Sequence, residues 1–203
     1  MPYALFREQE DTEGYFRLMK GIIQRRGIPL ALYSDRYFVF CHSKKSESGG
    51  VSVIDRSKLT QFGRAVRELG VTQIFAMSPE AKGRIERANG TFQDRLGSEL
   101  RLAGAKTIDE ANTFLQTFLP RFNERFGVPA AQPEPSYRPL DQSLDIDGVL
   151  CFKERRSVAR DNTVQYYGKT LQIFPGPDRH SYARTRVEVQ ERLDGRLVVC
   201  HQG

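Results

Sequence analysis

Twice within the first 76 residues, a stretch with apolar side chains at helical spacing ends on a glycine and passes directly into a short segment of strand character. In the first, Tyr15, Phe16, Leu18, Met19, Ile22 and Ile23 mark a helix from residue 11 or 12 to about 26, closed by Gly27 and followed by the run 28–33. In the second, Leu59, Phe62, Val66 and Leu69 mark a helix over 57–69, closed by Gly70 and followed by 71–76. An amphipathic helix needs a surface for its apolar stripe, and a continuous apolar strand needs cover on its faces, so each can satisfy the other. Residues 2–8 alternate apolar and polar well enough to predict a strand ahead of the first helix. The order strand, helix, strand, helix, strand places this part of the chain in the α/β class. Asp11, at the head of the first helix, reads as its cap or as a partner of the helix dipole.

Further along, Ser78 is expected to cap a long helix opened by Pro79 and Glu80 and running to about Leu102. Its predicted core stripe is Ile85, Phe92, Leu96 and Leu100, while Lys82, Glu86, Asn89 and Gln93 share another face. A second helix over 107–126 carries Ala111, Phe114, Leu115, Phe118 and Phe122, and Pro120 is expected to kink or divide it. The polar, Gly-rich residues 43–50 read as a mobile loop. Residues 129–147 have the Pro-rich composition of a linker. Beyond them, β-rich runs at 149–153, 163–167, 169–174, 185–192 and 196–201 are punctuated by Gly168, by Pro175-Gly176-Pro177 and by Asp194-Gly195, a pattern that suggests a small barrel. The expected organisation is a core domain over 1–128, a linker over 129–147 and a β domain over 148–203.

Composition narrows the function classes. With 39% hydrophobic and 28% charged residues the chain resembles a soluble globular protein, not a disordered or fibrous one. No apolar run approaches the roughly 18 residues of a membrane span, and the N-terminus lacks the basic-then-apolar build of a signal peptide, so a cytoplasmic location is expected. Cys41, Cys151 and Cys200 are far apart and odd in number, which indicates reduced thiols and neither a disulfide framework nor a zinc site. His42, His180 and His201 are equally scattered. A formal charge of +6, most of it from arginine, favours polyanionic partners.

Within this frame two carboxylates stand out. Asp35 lies at the end of a predicted buried strand and Glu86 on a later helix of a basic chain, the arrangement from which phosphoryl-transfer sites with two metal ions are assembled. Oxygen ligands of this kind suit Mg²⁺ or Mn²⁺. Solvated surface carboxylates are the competing reading. The surrounding residues add a resemblance. Ser78-Pro79, Gly83, Ile85, Glu86 and Arg87 match the S-P-x-x-x-G-x-[IV]-E-R block of integrase-core transposases, where the Glu is the last member of a DDE triad. Tyr33-Ser34-Asp35-Arg36 resembles the block holding their second Asp, and Arg121-Phe122-Asn123-Glu124-Arg125-Phe126 resembles the Y-N-x-x-R-x-H block near the end of their core. The order of the blocks is kept over residues 1 to about 140. Asp35 and Glu86 are about fifty residues apart, a longer interval than in many relatives, and loop length absorbs such a difference at little cost.

The resemblance implies an RNase H-like α/β core, here missing its first strands, followed by a small all-β SH3-like barrel. It implies DNA transposition as the parent activity: metal-dependent cleavage at element ends, then strand transfer into target DNA. Asp35 and Glu86 would each hold a Mg²⁺, and the first Asp, on a strand upstream of what looks here like the third, would join the two. Asp11 is a poor substitute, so this polypeptide alone is expected neither to cut nor to join DNA. Lys82, Arg84 and Arg87 are candidates for donor-end phosphates, and Asn89 and Gln93 for DNA contacts beside Glu86, with solvated helix charges as the alternative. Lys153, Arg155, Arg156 and Arg160, with Arg179, Arg184 and Arg186, could make the β domain a phosphate-binding surface. Tyr166, Tyr167 and Tyr182 read as packing of that domain in preference to base-stacking platforms. The implied partners are DNA and a further copy or full-length transposase, in the bacterial cytoplasm at the nucleoid. Two other readings are a DNA-binding or assembly module without catalysis and a relic of a truncated reading frame.

Overall fold

The computed structural model describes residues 1–45, 52–55, 57–76, 83–129, 132, 134–177 and 179–201. The chain divides into two compact units, Met1–Leu144 and Asp145–Gly203. Ser78, Pro79, Glu80 and Lys82, and most of the expected loop over 43–50, lie outside the described residues.

In the first unit, helix α1 (Thr12–Arg26) starts where the Asp11 carboxylate accepts the Gly14 N–H at 2.6 Å, and it stops at Gly27. Burial alone would raise the Asp11 carboxyl, but the Gly14 amide and the Arg7 guanidinium at 2.8 Å hold it below its ordinary value. Gly27 has φ 90°, a conformation open to glycine, and a Cβ there would come within 2.3 Å of the Arg138 carbonyl. The chain then enters β1 (Ile28–Pro29) and β2 (Ala31–Ser34). An antiparallel hairpin of β3 (Ser43–Lys45) and β4 (Ser52–Ile54) leads to α2 (Gln61–Glu68), capped by Thr60. β5 (Thr72–Phe75) then pairs parallel with β2, Ala31 opposite Thr72 and Ser34 opposite Phe75. Phe16, Met19 and Ile23 of α1 are buried, as are Phe62, Ala65 and Val66 of α2.

The strand expected over residues 2–8 does not form. Its main chain is held by side-chain amides: Phe6 N–H donates to Asn112 Oδ1 at 2.7 Å, and Asn112 Nδ2 returns a bond to Phe6 O at 3.1 Å. Near the start, Asn123 Nδ2 donates to Met1 O at 2.7 Å. Ala4 and Phe6 still point one way, into the cluster beneath, so the alternation reports a buried face without a ladder.

That cluster joins α3 (Gly83–Leu102) to α4 (Ile108–Phe126) through Leu96, Leu115, Phe118 and Leu119, with Phe92 and Phe122 edge to face at 5.2 Å. Helix α4 opens on a capping box between Thr107 and Glu110. Pro120 does not divide it. Pro120 and Gln116, whose carbonyl loses its donor, are both on the exposed side, where water can serve. Within the stretch 129–147, β6 (Tyr137–Arg138) pairs antiparallel with β1, and the Arg138 guanidinium donates to the Leu69 carbonyl.

The second unit begins with a short helix, α5 (Ile146–Val149), capped by Asp145, so the first of its strands starts at Phe152 and not at 149. β7 (Phe152–Ser157), β10 (Arg186–Glu191) and β11 (Leu197–Cys200) form an antiparallel sheet in the order β11-β10-β7. β8 (Thr163–Tyr166) and β9 (Lys169–Gln172) form a separate hairpin. Among the described residues no closed barrel exists, which corrects the expectation of an SH3-like one. The hairpin joins the sheet through side chains: Val164 and Tyr166 pack with Val187 and Val189 in one core, and no ladder continues between the two sheets.

Candidate active site

Asp35 directly follows β2, and its carboxylate accepts the Tyr37 N–H at 3.0 Å, an Asx turn that fixes the head group as the strand ends. Next to it Ser34 is buried and donates to the Asp35 carbonyl at 3.1 Å. Parallel pairing with β5 sets the height at which β2 ends and therefore where Asp35 emerges.

A cavity of about 450 Å³ opens beside it. One wall is α1, through Tyr15, Leu18 and Ile22, and another is β2 from Leu32 to Asp35. Phe40 and Phe62 close the floor with Tyr15, the Tyr15 and Phe40 rings edge to face at 4.7 Å. From the far side α3 contributes Ile85, Glu86 and Asn89. The structure thus brings Asp35, Glu86 and Asn89, separate in the chain, to one cavity.

The Tyr15 hydroxyl donates to Glu10. Burial first, then that hydrogen bond and the Asp35 charge, push the phenol above its ordinary range, so it stays protonated and neutral in the cavity wall. Two carboxylates from separate elements facing one space fit a hard divalent cation with oxygen ligands, Mg²⁺ or Mn²⁺. Among the described residues no group of three Asp, Glu, His or Cys side chains gathers to hold a metal. Among the described residues, Asp35 and Glu86 are the carboxylates that line the cavity.

The other predicted residues distribute differently. Arg87 and Gln93 are exposed on α3 and do not line the cavity. Arg84 belongs to α3 by its backbone, and its side chain is outside the described residues, as is all of Lys82. Ile85 is not core: it is 46% exposed, because the first turn of α3 stands over the cavity before the helix meets α4 at Phe92 and Leu96. In the second unit Arg155 and Arg160 are exposed, while Arg156 pairs with Glu154 and lies over the Tyr166 and Tyr167 rings at 5.7 and 5.8 Å. Tyr166 is buried as expected of packing, but Tyr167 is not.

The aromatic and aliphatic wall was not anticipated from the sequence. A signal existed: the apolar stripe of α1 is broader than one core contact requires. Phe16, Met19 and Ile23 fill the core, and Tyr15, Leu18 and Ile22 are left half-buried around the cavity.

No family model matches the chain. It is 35% identical over 199 residues to the y4bF protein of Sinorhizobium fredii, named as a transposase, covering 98% of this chain and 42% of that protein. It is 36% identical over 199 residues to the transposase for insertion sequence IS1202 of Streptococcus pneumoniae, covering 95% of this chain and 40% of that protein. The chain thus spans about two fifths of the length of these relatives. Among the described residues no helix is long and apolar enough to cross a membrane.

Proposed function

Because the chain belongs to the insertion-sequence transposases, we propose that it supplies two of the three metal-binding carboxylates of a DDE strand-transfer site, Asp35 and Glu86. The observation that carries this reading is their meeting at one cavity from β2 and α3. Mg²⁺ or Mn²⁺, when bound there, would activate the attacking oxygen and neutralise the leaving one. Asp35, pinned by its Asx turn, and Glu86, on the first turn of α3, would present the ligand oxygens. The apolar walls would exclude bulk water from that space.

In the parent reaction a water first cleaves the phosphodiester at the element end and leaves a 3′-hydroxyl. That hydroxyl then attacks a target phosphodiester in line, one P–O bond forming as another breaks. Asn89 would contact the DNA at the cavity, with Arg84, Arg87 and Gln93 along α3 and Lys82 just before them in the sequence. Arg155, Arg156 and Arg160 would hold phosphates on the second unit.

An RNase H-like core in which a further strand lies beside β2 is supported by the edge of β2. Leu30 and Ser34 turn their carbonyls to β5, accepting from Thr72 and Ala76. Ala31 and Tyr33 therefore turn theirs to the opposite edge, which carries no strand among the described residues. With two such carboxylates among the described residues, residues 1–203 would bind DNA and assemble with a further copy or full-length transposase but not cut by themselves.

The test titrates the chain with Mn²⁺ and incubates it with donor-end DNA. Expected are weak Mn²⁺ binding, lost in both Asp35→Ala and Glu86→Ala, and no cleaved or joined product. Mn²⁺ binding unchanged in both variants refutes the site, and cleavage that Asp35→Ala abolishes refutes the inactivity of this chain.

A further inference from the structure

At the tip of the β8–β9 hairpin, Tyr167 and Gly168 both have positive φ, 43° and 77°. This is the geometry of a tight hairpin turn that favours Asn-Gly, and a bulky aromatic in its first central position is strained. Buried contacts do not account for the residue, since Tyr167 is 72% exposed. Its neighbour Tyr166 does the packing, buried and donating to Glu191 at 2.9 Å. The Tyr167 ring is nevertheless held in one orientation. Its hydroxyl donates to Glu154 at 2.5 Å, its ring meets Tyr166 edge to face at 4.8 Å, and the Arg156 guanidinium lies 5.8 Å from its centroid. Arg156 also pairs with Glu154, which neutralises the carboxylate that holds the Tyr167 hydroxyl. Lys169, next after the turn, is exposed.

We propose that Tyr167 is a stacking platform for an unpaired nucleobase, with Arg156 and Lys169 beside it to meet the phosphate backbone. An exposed, oriented aromatic ring flanked by cations suits single-stranded nucleic acid, because an unpaired base has a free π-face and the bases of an intact duplex have theirs occupied. Strain kept at an exposed position where a better turn residue exists is a mark of function. The hydrogen bond to Glu154 fixes the ring before the base arrives, so little ordering remains to be done on binding. The inference rests on the DNA-binding reading above and adds to it the class of DNA structure recognised.

The test uses the whole chain and two probes: a blunt duplex, and the same duplex with a single-stranded overhang carrying 2-aminopurine. Affinity is read by anisotropy and stacking by quenching of the 2-aminopurine. The overhang should bind more tightly and be quenched. Tyr167→Asn and Tyr167→Gly, both suited to the turn, should abolish the quenching and weaken overhang binding about tenfold, the loss expected for one stacked base. Blunt-duplex binding and the melting temperature should not fall. Binding of both probes with no effect of either variant overturns the platform and leaves the DNA reading standing. No binding of either probe by the unaltered chain overturns both. A changed oligomeric state in the variants, with DNA binding intact, makes Tyr167 a protein contact and also overturns the proposal.

Discussion

Replacing Gly27 by alanine tests how the strand bearing Asp35 is set in place. Gly27 ends α1 with φ 90° and ψ −175°, a region nearly closed to other residues, and forcing alanine into it costs on the order of 1–3 kcal/mol. The new Cβ would also lie 2.3 Å from the Arg138 carbonyl, well inside any real contact, so β6 must move away from β1. That movement disturbs the Leu30 N–H to Ser136 O bond at 2.9 Å and the pairing of Ile28 with Arg138, each bond contributing about 1 kcal/mol. The effects partly overlap, because a shifted β6 relieves the clash, and their combination comes to about 2–4 kcal/mol. Urea unfolding followed by far-ultraviolet circular dichroism should show the midpoint falling with little change in slope. Native hydrogen exchange should show faster exchange at Ile28 and Leu30 while the amides of α4 keep their order of protection. A loss below about 1 kcal/mol, or exchange that rises uniformly, would refute the argument that Gly27 sits where its backbone and Arg138 both demand glycine.

The opposite sign is expected at Gly97, in the interior of α3, where a Cβ meets nothing within 4 Å: Gly97→Ala should raise stability by about 0.5–1 kcal/mol in the same unfolding assay, and a loss would mean that the exposed face of α3 is covered. Asp55 is held down to about 2 by its bond to Lys44, then by the Ser57 hydroxyl and amide. A carboxyl depressed in the folded state adds stability above its unfolded value, about 4, and loses it as pH falls toward 2. Thermal melts across that window should therefore show a steeper acid loss for the unaltered chain than for Asp55→Asn, and identical slopes would remove Asp55 from the acid response.

How much of this was readable in advance follows the range of the forces involved. The ends of α1 and α4 were legible because capping is local: Asp11 bonds Gly14, Thr107 bonds Glu110 in return, and Gly27 supplies a backbone angle open to glycine, whereas α2 starts at Gln61 behind the Thr60 cap and not at 57, leaving Leu59 exposed ahead of it. The β-rich character of the C-terminal unit was legible from its alternation and turn residues. The barrel was misjudged because alternation tells which side chains face inward but not whether neighbouring strands share a ladder, and among the described residues β8–β9 meets the sheet through side chains, Val164, Tyr166, Tyr167 and Leu171, with no shared ladder. Residues 2–8 were misjudged for a related reason, since Asn112 and Asn123, over a hundred residues away, do what a neighbouring strand would do.

The sequence by itself determined the helices, the strands that follow α1 and α2, the glycine stop of α1, and the two carboxylates to watch, because each is written in a few adjacent residues. Only the tertiary structure decided that Asp35 and Glu86 face one cavity, that Ile85 stands over it instead of entering the core, and that Tyr167 is exposed where Tyr166 is buried. Those outcomes depend on which surfaces meet, and that is settled by parallel pairing of β2 with β5 and by how far α3 runs before α4 covers it, a balance of packing that no short stretch of sequence contains.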